Sequence, residues 1–188
     1  YLISQVIARL SVPAFFVFAG FFLLRATHGA DVSGWLGQVK KRIRTLLIPF
    51  LLWGLLVLAA FYAGQELGFI PTGSDSRVGH IDALSALETL DLLVGATRYP
   101  VAYQFWFMRD LIICVALSLP LIFLPPAAFA SLLAVIGGAW LAGIQVTEIP
   151  SMSAICFFCL GGYIGIGGSK LRFDAGGKAI VVACFIAM

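Results

Sequence analysis

Three ionisable residues stand inside otherwise apolar runs: Arg9, Arg109 and Asp110. A charge at bilayer depth is costly, so each is a candidate for chemistry rather than for solubility. An arginine so placed can hold a carbonyl or phosphate oxygen with its planar fork of donors. The plainer reading is that Arg9 and Arg109 snorkel to an interface and that Asp110 pairs with Arg109. Two arginines on separate helices at similar depth favour a polar cavity over snorkelling. Trp106 and Arg109 are three residues apart and share a helix face. A cation and an aromatic on one face can line a sugar or phosphate site, or the tryptophan can belong to an interfacial belt.

The other chemically loaded stretch is Lys40-Lys41-Arg42-Ile43-Arg44, which runs into the apolar Leu46–Ala63. Its first role is to anchor a helix at the membrane edge and bind anionic head groups. A second role, holding an anionic soluble partner such as a nucleotide-bearing cofactor, requires Lys41, Arg42 and Arg44 to face that partner. The four cysteines, 114, 156, 159 and 184, all lie in apolar runs. Cys156 and Cys159 have CxxC spacing, but no second pair or neighbouring histidine completes a metal set, so no metal is expected. Gly161 and Gly165 fit the small-xxx-small rule for close helix packing. The run into Lys170 lacks the spacing of a phosphate loop and the strand that should precede one.

The elements that must position these residues follow from composition. The chain has 188 residues, 61% hydrophobic and 11% charged, with a mean hydropathy of +1.03. Soluble domains carry about 25% charge, so this is an all-α, polytopic transmembrane bundle. The net charge of +3 reads as loop asymmetry, not as nucleic-acid binding, because the basic residues sit at span ends. Spans are expected at about 2–24, 46–63, 105–124, 127–146 and 152–166, with a sixth starting near Gly177. Arg25, Lys40, Lys41, Arg42, Arg44, Lys170, Arg172 and Lys178 then all fall on the cytoplasmic side. The segment 64–104 falls outside, with Glu66, Asp75, Asp82, Glu88 and Asp91 against Arg77 and Arg98. Within it, the spacing of Leu84, Leu87, Leu90 and Val94 predicts a short interfacial helix. The segment 26–39 is expected to be a polar loop broken by Gly29, Gly34 and Gly37. The chain starts at Tyr1 and stops in an apolar run, which is expected of a single-domain fragment, residues 1–188, incomplete at both ends.

Three stretches together resemble membrane acyltransferase family 3, the integral-membrane O-acyltransferases of surface polysaccharides. The first, from Ile7 to Leu23, carries Arg9, then Val12-Pro13 and aromatics, then Ala19-Gly20-Phe21-Phe22; alanine stands where the family usually has serine. The second, Lys41 to Trp53, is similar to the basic start of a family helix. The third, Gln104-Phe105-Trp106-Phe107-Met108-Arg109-Asp110-Leu111, resembles the family's Leu-Trp-Phe-Leu-Arg-Asp-Leu signature. The resemblance implies a bundle of about ten helices in a multi-pass protein of the bacterial inner membrane. It implies transfer of an acyl group, commonly acetyl, from cytoplasmic acyl-CoA, a co-substrate and not a bound cofactor, to a hydroxyl of a carbohydrate or lipid-linked acceptor. The family's catalytic histidine would lie upstream of Tyr1; His28 and His80 do not match it, so this fragment alone should be inactive. The family's Arg-x-x-Arg appears as Lys41-x-x-Arg44, with Arg42 beside it. Lys41, Arg42 and Arg44 are thereby the donor-binding candidates, and Arg9, Trp106, Arg109 and Asp110 the cavity candidates. A transporter or flippase for an anionic or lipid-linked substrate is the alternative; the absence of a visible internal repeat argues against it.

Overall fold

The structure, a computed structural model, describes residues 2–70, 84–97 and 100–167, with side chains from residue 11 onward. All regular elements among the described residues are helical. They are α1 (Leu2–Thr27), α2 (Val32–Glu66), α3 (Ala86–Val94), a 3-10 turn (Tyr103–Phe105), α4 (Trp106–Ala116), α5 (Leu119–Phe123), α6 (Pro126–Leu141) and α7 (Met152–Gly167). Among the described residues, α2 is the helix long and apolar enough to cross a membrane; Ser11–Thr27 of α1, Pro126–Leu141 and Met152–Gly167 are shorter apolar stretches of helix. The expected sixth span, Lys170, Arg172, Lys178 and Cys184 lie outside the described residues, as do Asp75, Arg77, His80 and Asp82.

The chain divides into two compact units, residues 1–42 with 113–188, and residues 43–112. In the first, α1 packs closely along α7. A Cβ built on Gly161 would run into the carbonyl of Val17, and one on Gly20 into the carbonyl of Phe158. Gly165 faces the Phe21 carbonyl in the same way, at 2.6 Å. Glycine at these positions lets the two backbones touch, the packing available where lipid removes the hydrophobic drive between helices. The α6 helix joins α7 through edge-on ring pairs, Trp140 with Phe157 at 5.3 Å and Phe129 with Tyr163 at 5.8 Å. Cys114, Cys156 and Cys159 are buried.

Two expected boundaries are corrected. The loop expected at 26–39 is only a tight turn. Gly29, at φ 77°, ends α1 in the left-handed region, and α2 begins at Val32. The Asp31 carboxylate caps α2, accepting the Gly34 N–H at 2.9 Å and the Ser33 hydroxyl at 2.7 Å. Those two bonds hold its carboxyl below the ordinary value of 3.8. A good cap outweighs the weak helix propensity of Gly34 and Gly37. Consequently Lys40–Arg44 lies within a continuous helix and not at its start.

The single span expected at 105–124 is also broken, with α4 ending at Ala116 and α5 starting at Leu119. Pro120 explains it: its ring clashes with the carbonyl four residues back, which is Ala116. The break is satisfied from within the first unit. The buried Ser118 hydroxyl donates to the Val115 carbonyl at 2.7 Å and accepts the Trp35 indole N–H at 3.0 Å.

In the second unit α3 forms inside the stretch where the leucine spacing predicts a helix. Ser85 and Glu88 make a reciprocal capping box at its start, and Gly95, at φ 73°, closes its end. Leu93 packs on Gly54 of α2, and the Trp53 ring stacks on Phe105 with centroids 6.3 Å apart.

Candidate functional site

Arg109 occupies the first turn of α4 and is buried with Asp110. Its Nε and Nη2 donate to Asp110 Oδ1 at 3.0 and 2.9 Å, and its Nη1 donates to the Gly95 carbonyl at 2.6 Å. Gly95 is the cap of α3, so a cation here meets the negative end of that helix. The same cap is bound from the other side. Asp91 accepts the Thr97 N–H at 2.8 Å and its hydroxyl at 2.7 Å, and the Leu92 carbonyl accepts the Val101 N–H at 2.7 Å. One guanidinium therefore ties the end of α3 to the start of α4.

This geometry bears on the plainer reading of Arg109, of which the pairing is present and the snorkelling is not. The residue does not snorkel: its side chain is 7% exposed and that of Asp110 is 0% exposed. The pairing of Asp110 with Arg109, open in the sequence, is present. Trp106 stands half-buried at the start of α4. Arg9 lies in α1, and its side chain is outside those described. Lys41 and Arg44 are exposed on α2 and Arg42 is half-buried. His28 is exposed in the turn after α1. Among the described residues no cluster of three His, Cys, Asp or Glu could hold a metal ion.

Sequence reasoning missed Gly95, Asp91 and Thr97 as partners in this arrangement. A glycine directly after a helical leucine pattern signals a left-handed cap, but nothing in the sequence says which cation will cover that cap.

A family model described as an acyltransferase domain matches residues 1–188. The succinoglycan biosynthesis protein ExoH of Rhizobium meliloti (strain 1021) is 28% identical over 122 residues, which cover 62% of this chain and 30% of that protein. The aligned stretch thus spans less than a third of that relative. No solved structure matches.

Proposed function

The chain belongs to acyltransferase family 3, whose domain matches its whole length, and from that premise we propose that it is part of an integral-membrane enzyme acylating a surface polysaccharide or its lipid-linked precursor. The acyl group, acetyl in the simplest case, comes from cytoplasmic acyl-CoA. The acceptor hydroxyl oxygen attacks the thioester carbonyl, a general base takes the hydroxyl proton, and the CoA thiolate leaves and is reprotonated. The base is a histidine that the family resemblance puts upstream of Tyr1. Lys41, Arg42 and Arg44 hold the CoA phosphates at the inner face; the lysine supplies charge without the bidentate fork of an arginine. Arg9 and, separately, Trp106 are the substrate-contact candidates that the family resemblance offers. Arg109 and Asp110 fix the start of α4 around Trp106, since the donors of Arg109 are turned onto Asp110 and Gly95. The family match along residues 1–188 carries this reading.

The test uses the full-length protein in sealed inverted vesicles supplied with acetyl-labelled CoA. Label should move to a carbohydrate or lipid-linked hydroxyl. Replacing Lys41 and Arg44 together by glutamine should raise the donor KM about tenfold or more and flatten its salt dependence, as losing charged phosphate contacts does. Unchanged donor affinity in a correctly inserted double variant would leave the cluster with anchoring alone. Failure of the wild-type protein to label any hydroxyl would reject the acyl-transfer reading.

A further inference from the structure

The α2 helix serves as a depth gauge for the second unit. Gly54 lies ten residues after Arg44 and twelve before Glu66 on one continuous helix. At about 1.5 Å per residue these are distances of about 15 and about 18 Å. A hydrocarbon core is about 30 Å thick, so charges held at its two edges leave Gly54 near the middle. Leu93, one residue from the end of α3, packs against that point: its Cδ1 would lie 2.7 Å from a Cβ on Gly54, and its carbonyl oxygen 3.8 Å away. Phe105, the residue before α4, stacks on the adjacent Trp53. Both ends of the connection between α3 and α4 are therefore at mid-depth and not at the outer surface, where a simple hairpin between spans would put them.

Non-helical backbone cannot face hydrocarbon, because nothing there satisfies its N–H and C=O groups; it survives at that depth when covered by protein or when lining water. Around this connection Ala96, Thr97, Tyr103 and Gln104 are exposed, and Asp91 is half-exposed while its carboxylate accepts the two bonds from Thr97. Exposed polar side chains such as those of Thr97 and Gln104 at this level call for water. We infer that residues 84–97 and 100–105 lie within the membrane and line a water-filled vestibule that opens on the Glu66 side of α2 and reaches mid-depth. Its ligand is a polar, hydroxyl-rich acceptor. The Arg109 clasp on Gly95 holds the vestibule's inner end. The assignment of that ligand rests on the acyl-transfer reading, which supplies the need: an acceptor from one face must meet a donor bound at the other.

Accessibility tests this without turnover. Thr97→Cys and Gln104→Cys are made singly in the full-length protein in nanodiscs, with Leu55→Cys and Leu56→Cys as references on the exposed face of α2 at the same level. Wild-type protein sets the background from the native thiols. A charged, lipid-insoluble thiol reagent should label Thr97→Cys and Gln104→Cys at least about tenfold faster than the references, because a thiolate forms only where water stabilises it. Spin labels at the first two sites should collide with an aqueous nickel complex, and those at the references with oxygen. Two results overturn the vestibule. One is no aqueous labelling at either test site in variants that elute as folded protein. The other is labelling of Leu55→Cys and Leu56→Cys as fast as the test sites, which puts that level of α2 at the surface. Either can occur while acyl transfer proceeds, so failure of the vestibule is distinguishable from failure of the enzymatic reading.

Discussion

Asp110 is a fully buried carboxylate whose partner is the next residue in the chain. Adjacent residues on a helix point about 100° apart, so the pair forms because Arg109 is long enough to fold back and still reach Gly95. Removing one member breaks a buried ion pair. Arg109→Ala should therefore cost on the order of 3–5 kcal/mol, while replacing Arg109 and Asp110 together by leucine should recover most of that. Thermal unfolding in detergent, followed by size-exclusion chromatography, measures both. A wild-type melting temperature for Arg109→Ala would show that the pair is hydrated and not buried. At this scale the sequence was informative about type and poor about partner. A charged pair in an apolar run is visible by eye. The Gly95 carbonyl is not, because it lies fourteen residues away and any backbone carbonyl is chemically the same as any other.

Elements depend on a few positions where backbone meets backbone. The α1–α7 contact is the clearest, and the GxxxG spacing of Gly161 and Gly165 announced half of it. The identity of the partner was hidden, since Gly20 on α1 is isolated in sequence and only the fold sets it against Phe158. A methyl at Gly161 would collide with main-chain atoms of Val17, which cannot swing aside as a side chain can. Gly161→Ala should cost about 1–3 kcal/mol or more through overpacking. Gly138→Ala on α6 is the matched control, because a Cβ there meets nothing within 4 Å. It should be neutral or gain up to about 1 kcal/mol of helix propensity. Equal melting temperatures for the two variants would mean that α1 and α7 do not make the close crossing. The boundaries misread from sequence share one cause. A capping side chain at Asp31 and a ring clash at Pro120 act locally and strongly, whereas hydropathy averages over a window and smooths both away.

For the whole molecule, the direction of threading rests on charge at the two ends of the apolar part of α2. Lys40, Lys41, Arg42 and Arg44 precede that part within the helix and Glu66 follows it. Attraction to an anionic inner leaflet is worth about 1 kcal/mol per basic residue, so the four together bias orientation by about 4 kcal/mol. Any one of them is then dispensable and all four are not. The sequence shows the sign of these charges and their distance from an apolar run, and the threading is proposed from them. The division of the chain into two units was not legible, because it depends on contacts between distant segments. Single cysteines at Ser33 and at Ser74, the latter outside the described residues, report the threading in intact cells. With an impermeant reagent Ser74→Cys should label at once, and Ser33→Cys only after permeabilisation. Neutralising one basic residue should leave that pattern intact, and neutralising all four should give a mixed population in which both sites label in part. If Ser33→Cys labels in intact cells while Ser74→Cys stays protected, the basic cluster faces outward. A cytoplasmic donor could then not reach Lys41 and Arg44, and the vestibule would open toward the cytoplasm instead.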